Sequence, residues 1–382
     1  MSKNLIFLFI SAICIQSGNL LFTATSTLIS LSLIGSDSIS ILPIFVSIIS
    51  SLIFIIPVSL LMALKGRKIV FLSGYVFAII SLVFFLNSIN SKNFIQFIIG
   101  AFFLGISNSI GSYYRFAGVD VSSPDYRANA ISFILAGGVI SALIGPNLYK
   151  WGNQFFNWEG FLSGFLFQLP LYLLGLTLLF FVKIPKAHSV DLTKSRKTIQ
   201  LFRETSLFPI ISLSVLSAVI MIFIMTATPL GMKFHHHNSD SITTIIQYHV
   251  LGMYVPSFFT GSLIKRFGIK KIMLLGIFFF FICIGINFIE HSFYHFAFSL
   301  ILLGVGWNFL FISSTTLLTE KIESKDQPRA QALNDFLATG FGALAVAVSG
   351  KIHSEIGWVN LNLFTLPLIV LALFIILKEP PK

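Results

Sequence analysis

The sequence predicts an all-α polytopic membrane protein of twelve helices in two similar six-helix halves. Composition is the first reason. Hydrophobic residues make up 55% of the 382 and charged residues 10%, against about 25% charged in a soluble domain, and the mean hydropathy is +0.91. The second reason is continuity: apolar residues run unbroken, as in Phe278-Phe279-Phe280-Phe281, among 43 phenylalanines. A barrel strand would alternate with period two, so helices are the spanning elements. The third reason is repetition. Arg127-Ala128-Asn129-Ala130 returns 202 residues later as Arg329-Ala330-Gln331-Ala332, each opening an apolar segment after a short acidic loop (Asp120 to Asp125, Glu320 to Asp326). Asn108 and Asp120 likewise return as Asn308 and Glu320 at an offset of 200.

A crossing helix needs roughly 20 apolar residues, so twelve use about 240 and leave short loops. The first span, 5–31, follows a single Lys3, lacks a small-residue cleavage site and exceeds a signal-peptide core, so it reads as a retained helix. The second (40–63) and third (69–88) flank the basic stretch Lys65-Gly66-Arg67-Lys68. The fourth, 93–118, runs into the first acidic loop, and the fifth, 128–149, opens after Arg127 and holds Gly137-Gly138 and Gly145-Pro146. The sixth, 160–182, ends at the one long polar and basic stretch, 183–205. The seventh (207–231) and eighth (242–264) precede a second basic stretch, Lys265 to Lys271, and the ninth, 272–289, holds the phenylalanine run. The tenth (294–318) contains Trp307 and Asn308, the eleventh (330–350) follows Arg329, and the twelfth (357–377) ends at Lys378. The domains expected are therefore an N-terminal bundle at 1–182, a basic linker at 183–205 and a C-terminal bundle at 206–382.

Lys and Arg fix the orientation. With the N-terminus inside, all but four of the 25 fall on the inner side; Lys92, Lys150, Lys233 and Lys351 are the exceptions. Both termini are expected in the cytoplasm, with the protein in a bacterial inner membrane. The net charge of +11 then follows from topology signals beside an anionic leaflet, with no nucleic acid required. Cys14 and Cys283 lie far apart within spans and read as free packing residues.

Two six-helix halves, a basic central loop, and short basic loops after the second and eighth spans resemble the major facilitator superfamily over essentially the whole chain. The family's loops run roughly Gly-x-x-x-Asp-Arg-x-Gly-Arg-Arg. Here the eighth-span loop runs from Gly261 through Lys265, Arg266, Gly268, Lys270 and Lys271, with Lys265 where the acid belongs. The second-span loop, Ser59 to Lys68, lacks both the acid and the arginine after it. The resemblance implies a latch of charges at an inner gate, either rebuilt or missing in this chain. It also implies alternating access to a solute site where the two halves meet, as in many duplicated transporters.

Such access needs a polar lining at mid-membrane. Gln16 and Asn19, one turn apart, supply it in the first span, with Asn108, Gln168, Thr226, Thr228, Gln247 and Asn308 in later ones. Each costs free energy in lipid unless it faces protein or water. Helix–helix hydrogen bonding is the alternative for any one of them. Tyr113, Tyr114, Tyr248 and Trp307 could stack on a planar ligand or simply pack. Ionisable groups within spans are functional candidates by default. Asp120 and Arg127, and in the second half Glu320 and Arg329, are expected to form the gate around the loop glycines Gly66 and Gly268, with Arg115 either joining that network or carrying charge in direct contact with substrate. Asp335, about two turns into the eleventh span, is the candidate for proton coupling or for reading substrate charge, with pairing to Lys265 or Arg266 of a neighbouring loop as the alternative. His249 is the runner-up, because histidine titrates near neutral pH. His235-His236-His237 reads as a solvated outer loop, since consecutive imidazoles rarely share one metal ion well.

No Ser/His/Asp set, His-Glu-x-x-His motif or P-loop occurs at useful spacing, so no enzyme activity, metal, cofactor or direct ATP coupling is expected. The expected function is proton-coupled secondary transport of a small organic solute by a monomer. The fifth-span glycines resemble a motif of proton-linked exporters and tilt the reading toward efflux. Uptake of a vitamin-like aromatic solute such as a flavin stays open, as does a non-transporting receptor or scaffold of the same fold.

Overall fold

A computed structural model describes residues 3–122, 127–158, 160–184, 207–289, 291–323 and 326–378. The chain divides into two compact units, Met1–Ser189 and Val190–Lys382. Residues 185–206, most of the expected linker, lie outside the described residues. The first unit holds α1 (Lys3–Ile34), α2 (Asp37–Ser40), α3 (Leu42–Lys65), α4 (Arg67–Ser91), α5 (Phe94–Gly111), α6 (Tyr114–Asp120), α7 (Arg127–Phe156) and α8 (Leu162–Phe181). The second holds α9 (Phe208–Phe234), α10 (Ser239–Tyr254), α11 (Ser257–Phe267), α12 (Ile269–Ile289), α13 (Phe293–Lys321), α14 (Gln327–Phe364) and α15 (Leu366–Lys378).

The count of helices exceeds twelve because some spans are broken. Helices α2 with α3, α5 with α6, and α10 with α11 each make one crossing. The eleventh and twelfth spans run together through α14 and α15, and Gly357, with φ 76°, breaks the helix between them. Among the described residues, nine stretches are long and apolar enough to cross a membrane, the last being the 49-residue double span Ala330–Lys378. The architecture is the twelve-helix fold that the sequence predicts.

The duplication is visible in the backbone. Gly66 (φ 86°, ψ 150°) joins α3 to α4, and Gly268 (φ 89°, ψ 149°) joins α11 to α12, in nearly the same conformation 202 residues apart. Only glycine adopts that region without strain. Just beyond each turn a lysine caps the last helix of its own unit. Lys68 donates to the Phe180 carbonyl (2.8 Å) and Lys270 to the Leu377 carbonyl (3.3 Å). A cation there satisfies a carbonyl that the helix leaves unpaired and meets the negative end of its dipole.

Small residues bring backbones together inside each unit, as in other membrane bundles. A Cβ on Gly105 would collide with the Ser47 carbonyl of α3. One on Gly304, 199 residues on, would stand 2.6 Å from the His249 carbonyl of α10. Proline disturbs the same two crossings, at Pro57 within α3 and at Pro256 between α10 and α11. In each unit a side chain of the fourth crossing props the disturbed backbone. Tyr113 Oη donates to the Ile55 carbonyl (3.1 Å). Asn308 Nδ2 donates to the Met253 carbonyl (2.7 Å) and to Ser257 Oγ (2.6 Å), while Thr260 Oγ1 donates to Asn308 Oδ1 (2.7 Å). Both cysteines are free and buried.

Candidate functional site

The gate candidates sit at the basic end of each unit. Asp120, the last residue of α6, holds its carboxylate 2.7 Å from Arg67 Nε, and the two side chains are 20% and 17% exposed. The approach is close but not aligned as a hydrogen bond. Arg115 lies over the face of Phe116 at 4.9 Å, with Arg67 at 6.0 Å from the same ring. The acid of the fourth crossing is thus paired with the arginine of the second-span loop, the loop whose own acid is missing. Arg127 opens α7 and Arg329 lies in the first turn of α14, but both side chains lie outside the described residues. At the matching offset the second unit has Ile269 in place of Arg67, and Glu320 is exposed. The turn's backbone is duplicated here, but position 269 offers no cation to match Arg67.

The polar candidates of the first unit fall into two groups. Asn108 Nδ2 donates to Asn19 Oδ1 at 2.8 Å, tying α5 to α1, and both residues are half-buried, as is Gln16. Gln168 is buried, with Nε2 donating to the Cys14 carbonyl (3.0 Å) and Oε1 without a hydrogen-bond partner. Tyr113 spends its hydroxyl on the α3 carbonyl described above. Tyr114 is buried, its ring stacked on Phe71 at 4.3 Å.

In the second unit Asn308 is fully buried and its amide is spent at the break between α10 and α11. Gln247 and Thr226 are buried, and Thr226 Oγ1 has no hydrogen-bond partner. Trp307 stacks on Phe311 at 5.1 Å, with Nε1 also lacking a hydrogen-bond partner. A buried polar atom left unpaired costs about 1–3 kcal/mol, so Thr226 and Trp307 are places where a polar solute or water would be stabilised. Asp335 is half-buried in α14, with Asn334 Nδ2 3.4 Å from its carboxylate. His249 is fully buried, with Nδ1 2.8 Å from the Leu300 carbonyl. A carbonyl only accepts, so Nδ1 carries the proton and the ring joins α10 to α13. That contact makes His249 a helix–helix link.

The three consecutive histidines are more than a solvated loop. His236 is exposed, but the ring of His235 stacks on His291 at 3.9 Å and 9°, and His237 Nε2 lies 2.8 Å from the His291 carbonyl. Burial first, then His291, His237, His236 and His353, hold the His235 imidazole below its ordinary 6.5. In the folded protein His235 therefore stays neutral at pH values where an unfolded chain's histidine has taken a proton. Stability is full above pH 6.5 and falls as pH drops below it. The melting temperature of wild type is expected to fall between pH 7 and pH 5, and His235→Phe, which keeps the stack without the charge, should flatten the slope. An unchanged slope would remove His235 from the account. Among the described residues, no group of three or more His, Cys, Asp or Glu could hold a metal ion.

One repeat escapes a search keyed to charged residues. Thr23-Ala24-Thr25 in α1 returns as Thr226-Ala227-Thr228 in α9, 203 residues later. Thr25 and Thr228 are fully buried, and each donates at 2.8 Å to the carbonyl four residues before it. Thr23 does the same toward the Asn19 carbonyl (2.9 Å). Comparing the first helix of each half at one residue more than the offset of the arginines would have found it.

Known proteins place the chain as follows. The family model described as the Major Facilitator Superfamily matches residues 6–254 and 210–382. The riboflavin transporter RfnT of Brucella anthropi is 33% identical over 331 residues, covering 86% of this chain and 83% of that one. An uncharacterized MFS-type transporter of Bacillus subtilis, YdeG, is 24% identical over 359 residues, covering 88% of this chain and 82% of its own. Among solved structures, a bacterial homolog of the human lysosomal transporter Spinster matches with TM-score 0.71 at 13% identity, over 98% of this chain and 94% of its own. The nucleoside transporter NupG matches with TM-score 0.72 at 14% identity, over 97% and 98%.

Proposed function

The chain belongs to the major facilitator superfamily of small-solute transporters, and on that premise we propose that it carries riboflavin or a closely related flavin into the cell together with protons. The observation behind the substrate is the 33% identity to the riboflavin transporter, which spans most of both chains. The side chains are suited to such a ligand. A flavin is a planar aromatic system with an edge of amide-like donors and acceptors. Within the second unit, Trp307 supplies a face for stacking, and Gln247 and Thr226 supply hydrogen-bonding groups. Within the first, Gln16 and the Asn19–Asn108 pair carry carboxamides of the same kind.

Packing accounts for the fifth-span glycines and takes away their weight toward export. A Cβ on Gly145 would stand 2.6 Å from the Ser17 carbonyl of α1, and one on Gly137 would stand 3.1 Å from Ile13. Close approach of α7 to α1 accounts for these glycines without an exporter motif. The Arg67–Asp120 pair also favours a transporter over a non-transporting scaffold, because the altered second-span loop still supplies a charged contact. Riboflavin is neutral near pH 7, so each proton that enters with it moves one positive charge. At 100 mV that contributes about 2.3 kcal/mol, or about fiftyfold accumulation.

Purified protein in liposomes, with riboflavin outside and an interior-negative potential imposed, is expected to accumulate the vitamin and to alkalinise the outside. Riboflavin movement independent of potential and pH would overturn the coupling. Transport of other solutes but not of flavins would overturn the substrate.

A further inference from the structure

The turn between α11 and α12 is the most cationic place in the described chain. Lys265, Arg266, Lys270 and Lys271 fall within seven residues, with no acid anywhere from Ser257 to Lys271. Lys270 is engaged with the end of α15. Lys265, Arg266 and Lys271 are exposed, and no carboxylate among the described residues lies within ion-pair distance of them. In the twin turn of the first unit Arg67 is neutralised by Asp120, whereas here Ile269 stands in the arginine's place. Among the described residues, no carboxylate neutralises Lys265, Arg266 or Lys271.

The helix leading into the turn is apolar on its exposed side. Phe258 is 65% exposed and Phe259 45%. They precede Lys265 and Arg266 by seven residues each, two turns along the same faces and about 10 Å. Between them lie exposed Gly261 and Ser262, and a Cβ on Gly261 would meet nothing within 4 Å. Phe267, itself 46% exposed, lies 5.2 Å under the Arg266 guanidinium. The surface thus presents cations at one end, a shallow gap lined by small residues, and aromatic rings about 10 Å away. That sequence of chemistries matches an anionic headgroup joined to an acyl chain. A free phosphate would leave the aromatic end unused, and a zwitterionic lipid brings a positive group to an already positive turn.

We propose that α11 and the turn after it hold one anionic phospholipid, with the headgroup on Lys265 and Arg266, reinforced by Lys271, and an acyl chain running past Gly261 to Phe258 and Phe259. The test is native mass spectrometry of the delipidated full-length protein, with equal amounts of phosphatidylglycerol and phosphatidylcholine of matched chains. Wild type is expected to retain phosphatidylglycerol about tenfold over phosphatidylcholine. The triple variant Lys265→Gln, Arg266→Gln, Lys271→Gln should lose that preference. A control triple at the opposite end, Lys92→Gln, Lys150→Gln, Lys233→Gln, makes the same change in net charge and should keep it. Gly261→Leu has room for its side chain, so it should fold, and by filling the gap it should lower phosphatidylglycerol retention with every cation in place. Equal loss in both triples, undiminished retention in Gly261→Leu, displacement of the lipid by glycerol 3-phosphate, or a second copy of the chain bound in place of lipid would each overturn the proposal.

Discussion

With asparagine at position 335 the protein is expected to bind its solute and no longer to accumulate it, so the inside-to-outside ratio falls from about fiftyfold at 100 mV to one. Among the described residues Asp335 is the carboxylate carried within an apolar span rather than at a helix end or loop. It is half-buried and close to the Asn334 amide. An intramembrane acid that exchanges its proton as access alternates couples solute to gradient, and the carboxamide has nearly the same shape with no proton to exchange. Binding, read as a rise in melting temperature with riboflavin, should survive. Concentrative uptake by the asparagine variant with unchanged pH dependence would place the coupling elsewhere.

Separating Arg67 from Asp120 should have the next largest effect. The side chains are mostly buried, and removal of one partner takes a close opposite charge from the other in a poorly solvated place. A deeply buried pair would cost about 3–5 kcal/mol to break. With roughly a fifth of each side chain exposed, about 1–3 kcal/mol is the reasonable range. If the pair holds the basic end shut, that amount shifts the ratio of its two access states by about 5- to 150-fold. Arg67→Gln and Asp120→Asn should each make a cysteine at that end more reactive to a membrane-impermeant thiol reagent. The exchange Arg67→Asp with Asp120→Arg should restore most of the protection. Additive single effects with no recovery in the exchange would show that the two charges act independently.

Much of the fold was legible because the bilayer imposes one length on every crossing, and runs of about 20 apolar residues have few other uses. The limits at 69–88, 93–118 and 272–289 each lie within a few residues of a helix end. The positions of side chains around those helices were harder to read. A soluble helix marks its buried face by a polar opposite face, but a helix between lipid and protein is apolar on all sides. Nothing in the sequence around His249 or Asn308 tells that each is fully enclosed within its own bundle. Asn19 and Asn108 could be named individually because carboxamides are costly in lipid. That they pair with each other is a fact of packing. The partner of Asp120 was obscured for a different reason. The second-span loop was judged by its missing acid, which drew attention from Arg67, the next-to-last position of the family pattern and yet the cation in contact. The histidines at 235–237 were read as a loop on their own, because His291, on which His235 stacks and to whose carbonyl His237 bonds, is more than fifty residues away.

The eighth crossing carries a mechanical consequence. Its far half, α10, is fastened to α13 by backbone contact at Gly252 and Gly304 and by the His249 ring. Its near half, α11, begins beyond Pro256 and buries only Thr260 and Ile264. Asn308 bonds to both sides of the break, to Met253 before it and Ser257 after it, and accepts from Thr260 one turn further on. A rod interrupted in this way and tied across the gap by one amide bends at a set point and springs back to a set angle. In the matching crossing of the first unit the break lies at the start, between α2 and α3, and α3 continues through Pro57 as one helix, so a tilt applied to α3 travels its full length. The eighth crossing can therefore swing its cationic foot while its far half stays clamped, and the second cannot.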